Sequence, residues 1–205
     1  MPTLVLGSQL VIARRLGPGH YTWTLASILG DMLQLAQEMF GERDRSYTIL
    51  GIEYCGDTPR VWCPGNRKDL VIQLSLRCMD EPQRACYQLA HECIHLLGPQ
   101  GCGGAIVLEE GLATYYAQYY MGARIGNPNW RSTMPSYTEA QQKLEALLAL
   151  DPNAIKVLRQ EQPTIGLFTR ELLLRHYPTL DEGLAADLVA PFVREPEAAK
   201  PAQTA

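Results

Sequence analysis

The chain is poor in the residues that most often announce a site or a compartment. Four of its 205 residues are histidine and six are cysteine. No Cys-x-x-Cys pair occurs, which argues against a structural zinc knuckle. Six cysteines in a chain this long are also too sparse for a disulfide scaffold. Cys55 and Cys63 flank a turn and would be the first pair to bridge in an exported protein, while Cys78, Cys86 and Cys102 are scattered. No stretch approaches the ~18 continuous apolar residues of a membrane span. The N-terminus, MPTLVLGSQLVIARRLG, lacks a basic leader, and Gly7, Ser8 and Gln9 interrupt its apolar run. A secretory signal is therefore not expected, and the cytoplasm with reduced cysteines is the expected compartment. Positive charge is short as well: 18 Lys and Arg stand against 22 Asp and Glu, a formal charge of -4. Neither a nucleic acid nor an anionic membrane surface is an expected partner.

What is present suffices for a packed core. The composition is 46% hydrophobic and 20% charged, which fits one domain or one domain with a small second lobe. Residues 3–14 (TLVLGSQLVIAR) read as a strand. Residues 22–40 carry Leu25, Ile28, Leu29, Met32, Leu33 and Ala36 at helical spacing. Strands are expected at 46–55 and 69–77, with a short return at 61–63 between turns. In the 69–77 strand, Val71, Gln73 and Ser75 alternate with Leu70, Ile72, Leu74 and Leu76, which predicts one more polar face.

From Pro82 the period becomes helical as far as Leu97, where Gly98 and Pro99 stop it. A glycine-rich loop follows, then a helix at about 105–121. Residues 122–136 read as a linker, and 137–193 as a lobe of three or four helices. The tail 194–205 is polar, contains proline and reads as disordered. No internal repeat occurs.

The chemistry concentrates in QLAHECIHLLG, where His91, Glu92 and His95 form an HExxH motif. At ~100° per residue, His91 and His95 project from one helix face a turn apart, so both imidazoles can ligate one metal ion. Glu92 lies ~100° round from His91 and can reach a metal-bound water without being a ligand. Cys86, Leu89, Ala90, Cys93, Leu96 and Leu97 cluster roughly opposite His95. That stripe packs the helix and makes Cys93 a small apolar residue, with a redox or ligand role as the minor reading.

A catalytic zinc site normally has three protein ligands. The next helix, VLEEGLATYYAQYY, offers Glu109 and Glu110. Gly98, Pro99, Gly101, Gly103 and Gly104 let the chain reverse and bring that helix against the first. Glu110 shares a stripe with Val107, Thr114, Ala117 and Met121, so Glu110 is the carboxylate expected to face inward. Glu109 points toward Tyr116 and Tyr120 and reads as solvated, or as a partner hydrogen-bonded behind a ligand. The run YYAQYYM reads as core and cleft wall, with an aromatic binding surface as the alternative.

HECIH followed by LEEGLATYY resembles the gluzincin clan of zinc metallopeptidases, which includes thermolysin and aminopeptidase N-like enzymes. Here the resemblance covers roughly residues 20–121, a minimal version. It implies His91, His95 and Glu110 as Zn2+ ligands and Glu92 as general base and acid. It implies an α+β fold: a zincin-like lobe (1–121) with a backing helix, a small mixed sheet, an active-site helix and a glutamate helix, then a helical C-terminal lobe. It also implies that the 69–77 strand is the edge along which a peptide or protein substrate pairs.

The loop to the glutamate is shorter than in the large aminopeptidases, and no GxMEN-like exopeptidase strand occurs. The transition-state donor, a group that contributes about 3 kcal/mol in well-studied enzymes, has no recognisable signature. Its candidates are Tyr115, Tyr116, Tyr119, Tyr137, Arg175, His176 and Tyr177. His176, in the RHY that ends a helix, and Tyr116 are put forward as catalytic. A plain helix terminus with basic side chains is the competing reading of His176, and His20 reads as a loop residue.

The expected activity is hydrolysis of peptide bonds by a metal-activated water. A non-enzymatic regulatory or sensory protein on a zincin scaffold, or a zinc hydrolase of a non-peptide amide, is the alternative.

Overall fold

A computed structural model describes residues 15–17, 20–21, 23–65, 68–100 and 103–195. The expected strand at 3–14, Cys102 and positions 196–205 of the expected tail lie outside these residues.

The fold is α+β. Two short strands, β1 (Arg15–Gly17) and β2 (His20–Tyr21), pair antiparallel and precede α1 (Leu25–Phe40). Thr24 and Ser27 form a capping box at the start of α1, satisfying backbone donors that the helix cannot. Ile28, Leu29, Met32, Ala36 and Phe40 make its buried stripe.

A three-stranded mixed sheet follows: β3 (Thr48–Tyr54), β4 (Arg60–Trp62) and β5 (Asp69–Leu74), in the order β3-β5-β4. β5 runs parallel to β3 and antiparallel to β4. The segment expected to be the substrate-pairing edge is thus the central strand, with hydrogen-bonding partners on both sides. The edges of the sheet are β3 and β4. The expected polar face of β5 is buried too, because Gln73 donates to Glu53 on β3 and accepts from Arg60 on β4. Just beyond β5, Ser75 is buried through three hydrogen-bonding contacts, to Gln88 and Cys78.

α2 (Pro82–His95) packs on this sheet and on α1. Cys86, Leu89, Ala90, Cys93, Leu96 and Leu97 are all buried, as their spacing predicts. α3 (Val107–Tyr120) lies against α2 and runs on into a π-helical turn, Met121–Ile125, at the start of the expected linker. The remaining helices are α4 (Pro135–Leu150), α5 (Ala154–Glu161), α6 (Arg170–His176) and α7 (Glu182–Leu188). Gly111 of α3 meets the backbone of α4 so closely that a Cβ there would collide with the Ala140 carbonyl.

One buried apolar cluster runs from Ile28 and Met32 through Leu89, Leu112 and Tyr116 to Leu144, Leu158, Leu173 and Leu188. The C-terminal helices therefore share the core that supports α2 and α3. A buried arginine on α5 ties the pieces together. Arg159 donates to the carbonyls of Phe40, Gly41, Glu42, Leu97 and Pro163, joining the end of α1 to the residues just past α2. No disulfide links the described cysteines. Among the described residues, no helix is long and apolar enough to cross a membrane.

Candidate metal centre

The last turn and a half of α2 carries the site. His91 and Glu92 are buried, and the His91 and His95 rings lie 5.5 Å apart, centre to centre, on one face. The glycine-rich connection brings the first turn of α3 alongside. Glu110 Oε2 lies 3.0 Å from His91 Nε2, and its Oε1 lies 3.7 Å from His95 Nε2. Ligand atoms of His91, His95 and Glu110 all fall within 4.8 Å of one another. Two imidazoles and a carboxylate aimed at one point can hold a metal ion. Cys93, buried on the packing side, is not among these ligands.

Glu109 completes the arrangement. Its Oε1 lies 2.8 Å from His95 Nδ1, and only 7% of the residue is exposed. Glu109 is therefore not a solvated carboxylate but a buried partner of His95. A carboxylate on one ring nitrogen orients the other toward the ion and increases its basicity. Consecutive residues on α3 thus serve different nitrogens of His95, because ~100° separates their side chains. Gly166, in the short 3₁₀ turn Ile165–Leu167, leaves room for this. A Cβ there would stand 2.8 Å from Glu109 Oε2.

Charge in the cluster is strongly coupled. Burial disfavours the charged His95 ring, but Glu110, then the hydrogen bond and charge of Glu109, lift its pKa to about 10. Burial raises the Glu110 carboxyl, but His95 and His91 outweigh it and hold the pKa below the usual carboxylate value. Burial raises Glu92, despite the nearby histidines and a hydrogen bond from the Val61 backbone amide on β4. Three carboxylates gathered in a buried pocket call for positive charge, which a divalent cation could supply. The donor set, two imidazole nitrogens and a carboxylate oxygen, is one that zinc commonly takes.

The cluster forms the floor of a cleft of about 820 Å³. Pro59, Arg60 and Val61 of the β4 region line one wall; Trp130, Arg131, Met134 and Tyr137 line another. Of the seven candidate transition-state donors, only Tyr137 lines this cleft; its ring lies 5.5 Å from that of His91. Tyr116 is fully buried in the core, where its hydroxyl donates to the Met32 carbonyl at 2.6 Å. His176 ends α6 away from the cleft and lies 3.0 Å from Glu161. The structure therefore brings neither Tyr116 nor His176 to the site. Beside them, Arg175 pairs with Glu161, and Tyr177 donates to Asp151.

Arg194 escapes the sequence reading, which assigns it to the tail. The chain just before it pairs with the entry to α3: Val107 donates to the Ala190 carbonyl and Phe192 to that of Ala105, each at 2.9 Å. Phe192 stacks 4.9 Å from Tyr137, and Arg194 enters the cleft, where its charge acts on both Glu110 and Tyr137. The signal available in the sequence is the apolar run from Leu188 to Val193 that leads directly into it. No family pattern matches this chain, nor does any curated protein or solved structure.

Proposed function

We propose that the chain is a small zinc-dependent metallopeptidase, with His91, His95 and Glu110 holding the ion and Glu92 acting as general base and acid. The observation that carries this reading is the convergence of three ligand atoms within 4.8 Å at the floor of an open cleft, with a buried glutamate beside them. The order of α1, the sheet, α2 and α3 supports the resemblance to gluzincins and a zincin-like lobe.

When bound, zinc supplies Lewis-acid chemistry, acidifying water toward a pKa of ~7 and polarising a carbonyl. Glu92 then takes the proton of the attacking water and passes it to the leaving amine. Glu109 keeps His95 in one orientation throughout. Tyr137 is the donor placed to stabilise charge on the carbonyl oxygen. An extended peptide would lie along β4, whose residues line the cleft beside Glu92.

Metal analysis of the purified protein, together with digestion of an unstructured peptide library, tests the reading. About one zinc per chain is expected from the single three-ligand set. Glu92→Gln is expected to keep the zinc and lose hydrolysis. Protein without zinc, or a zinc-loaded wild type that cleaves nothing in the library, would overturn it.

A further inference from the structure

Away from the metal cluster, the walls of the cleft carry more positive than negative side chains. The sequence is acidic, with 22 Asp and Glu against 18 Lys and Arg. Outside the three glutamates of the metal cluster, however, the acidic side chains lining the cleft are Asp57 and Glu195, against five arginines. No lysine lines it. Those three glutamates face two histidines and the proposed cation, and of the wall arginines Arg194 acts on Glu110.

The arginines approach from different elements. Arg60 lies on β4, and its Nε donates to the neutral amide oxygen of Gln73. Arg131 lines the cleft from the segment before α4 and donates to the backbone carbonyls of Pro128 and Trp130. Those acceptors fix the guanidinium without cancelling its charge. Arg84, one wall further along α2, is paired with Glu81 at a half-exposed site, where screening by water is strong. Arg194 is delivered beside Glu110 by the backbone pairing of residues 190–192 with 105–107. Arginine rather than lysine suits bidentate recognition of a carboxylate, because its planar fork matches two oxygens.

We infer that the cleft selects peptides with aspartate or glutamate near the scissile bond, and that Arg60, Arg131 and Arg194 read those carboxylates. The substrate role rests on the peptidase reading above, whereas the preference for acidic peptides is a property of the cleft walls.

The test separates the two. Zinc-loaded Glu92→Gln protein is titrated with fluorescein-labelled peptides of one length that carry Asp and Glu, Ser and Gln, or Lys at the flanking positions, and anisotropy reports binding. The acidic peptides are expected to bind about tenfold more tightly than the neutral ones at low salt. The ratio should narrow as salt rises. Arg60→Gln, Arg131→Gln and Arg194→Gln, each made in the same background, are each expected to cut that ratio by about threefold. A general loss of packing would weaken both peptides together and leave the ratio unmoved, so the ratio is the readout. Equal binding of acidic and neutral peptides, tighter binding of the lysine peptides, or a ratio unchanged in all three variants overturns the inference. Digestion of the same peptides by wild-type protein addresses the other reading: selective binding without cleavage would sink the peptidase and leave the acidic ligand class standing.

Discussion

Two histidine–glutamate pairs in this protein have the same length and opposite surroundings. His91 and Glu110 lie 3.0 Å apart, with side chains 11% and 13% exposed. His176 and Glu161 also lie 3.0 Å apart, at 29% and 49%. The first pair sits between α2 and α3, with a second histidine and two further glutamates around it. The second sits at the end of α6, with Arg175 sharing the same carboxylate. The difference teaches that distance alone does not make a site. Burial strengthens each interaction by lowering the local dielectric and leaves no water to satisfy a lone pair. A second histidine at the same point then makes the pair part of a group that could hold a metal ion. An exposed pair held by one carboxylate is screened and contributes little.

The contrast can be broken from its strong end. Glu110→Ala removes one of the three ligands and leaves the two histidines facing water. Zinc affinity is expected to fall by well over the roughly hundredfold that the loss of an outer partner can cost. Competition with a chromogenic chelator measures this, and retention of wild-type affinity would refute the ligand assignment. Gly111→Ala attacks the burial instead. Its added methyl meets the Ala140 carbonyl, which is backbone and cannot rotate away, so about 3 kcal/mol of stability should be lost. A denaturant midpoint equal to that of the wild type would show that α3 and α4 have room to separate.

Glu109→Gln tests the partner behind the ligand. The amide still reaches His95 Nδ1 but carries no charge, so zinc should bind about tenfold more weakly with the fold intact. An unchanged chelator titration would leave Glu109 without a role in the centre. His176→Gln is the smallest expected effect: zinc content unchanged, and stability altered by less than about 1 kcal/mol. A loss of zinc in this variant would make the two pairs functionally alike and undo the comparison.

The parts of the site that were legible in the sequence are those that depend on local geometry. HExxH on a helix places two rings a turn apart whatever the rest of the chain does. The small residues sharing a stripe with Glu110 marked it as inward-facing, but gave no sign that Glu109, the more buried of the two, also turns in to His95. The packing face from Cys86 to Leu97 was legible for the same reason. Strand adjacency was not. The resemblance implied that β5 is an edge, and the alternation of Gln73 and Ser75 with leucine and isoleucine predicted only a more polar face. It is central because its backbone pairs with β3 on one side and β4 on the other, where Glu53 and Arg60 bond Gln73. Tyr116 and Tyr137 are equally plausible phenols on paper; only the placement of α4 against α3 puts one in the core and the other in the cleft. Arg159 also escaped notice, since nothing near it in the sequence hints that five backbone carbonyls converge on its side chain.

The sequence by itself determined α1, α2 and α3 and the face of α2 that carries both histidines, because each follows from side-chain periodicity and the fixed rise of a helix. Only the tertiary structure decided which strand is central, which tyrosine reaches the cleft, and that Arg194 lines the cleft. Those outcomes depend on long-range hydrogen bonds, such as that from Phe192 to Ala105, and on close backbone contacts, such as Gly111 against Ala140. Such contacts join residues far apart in the chain, so they leave no local pattern to read.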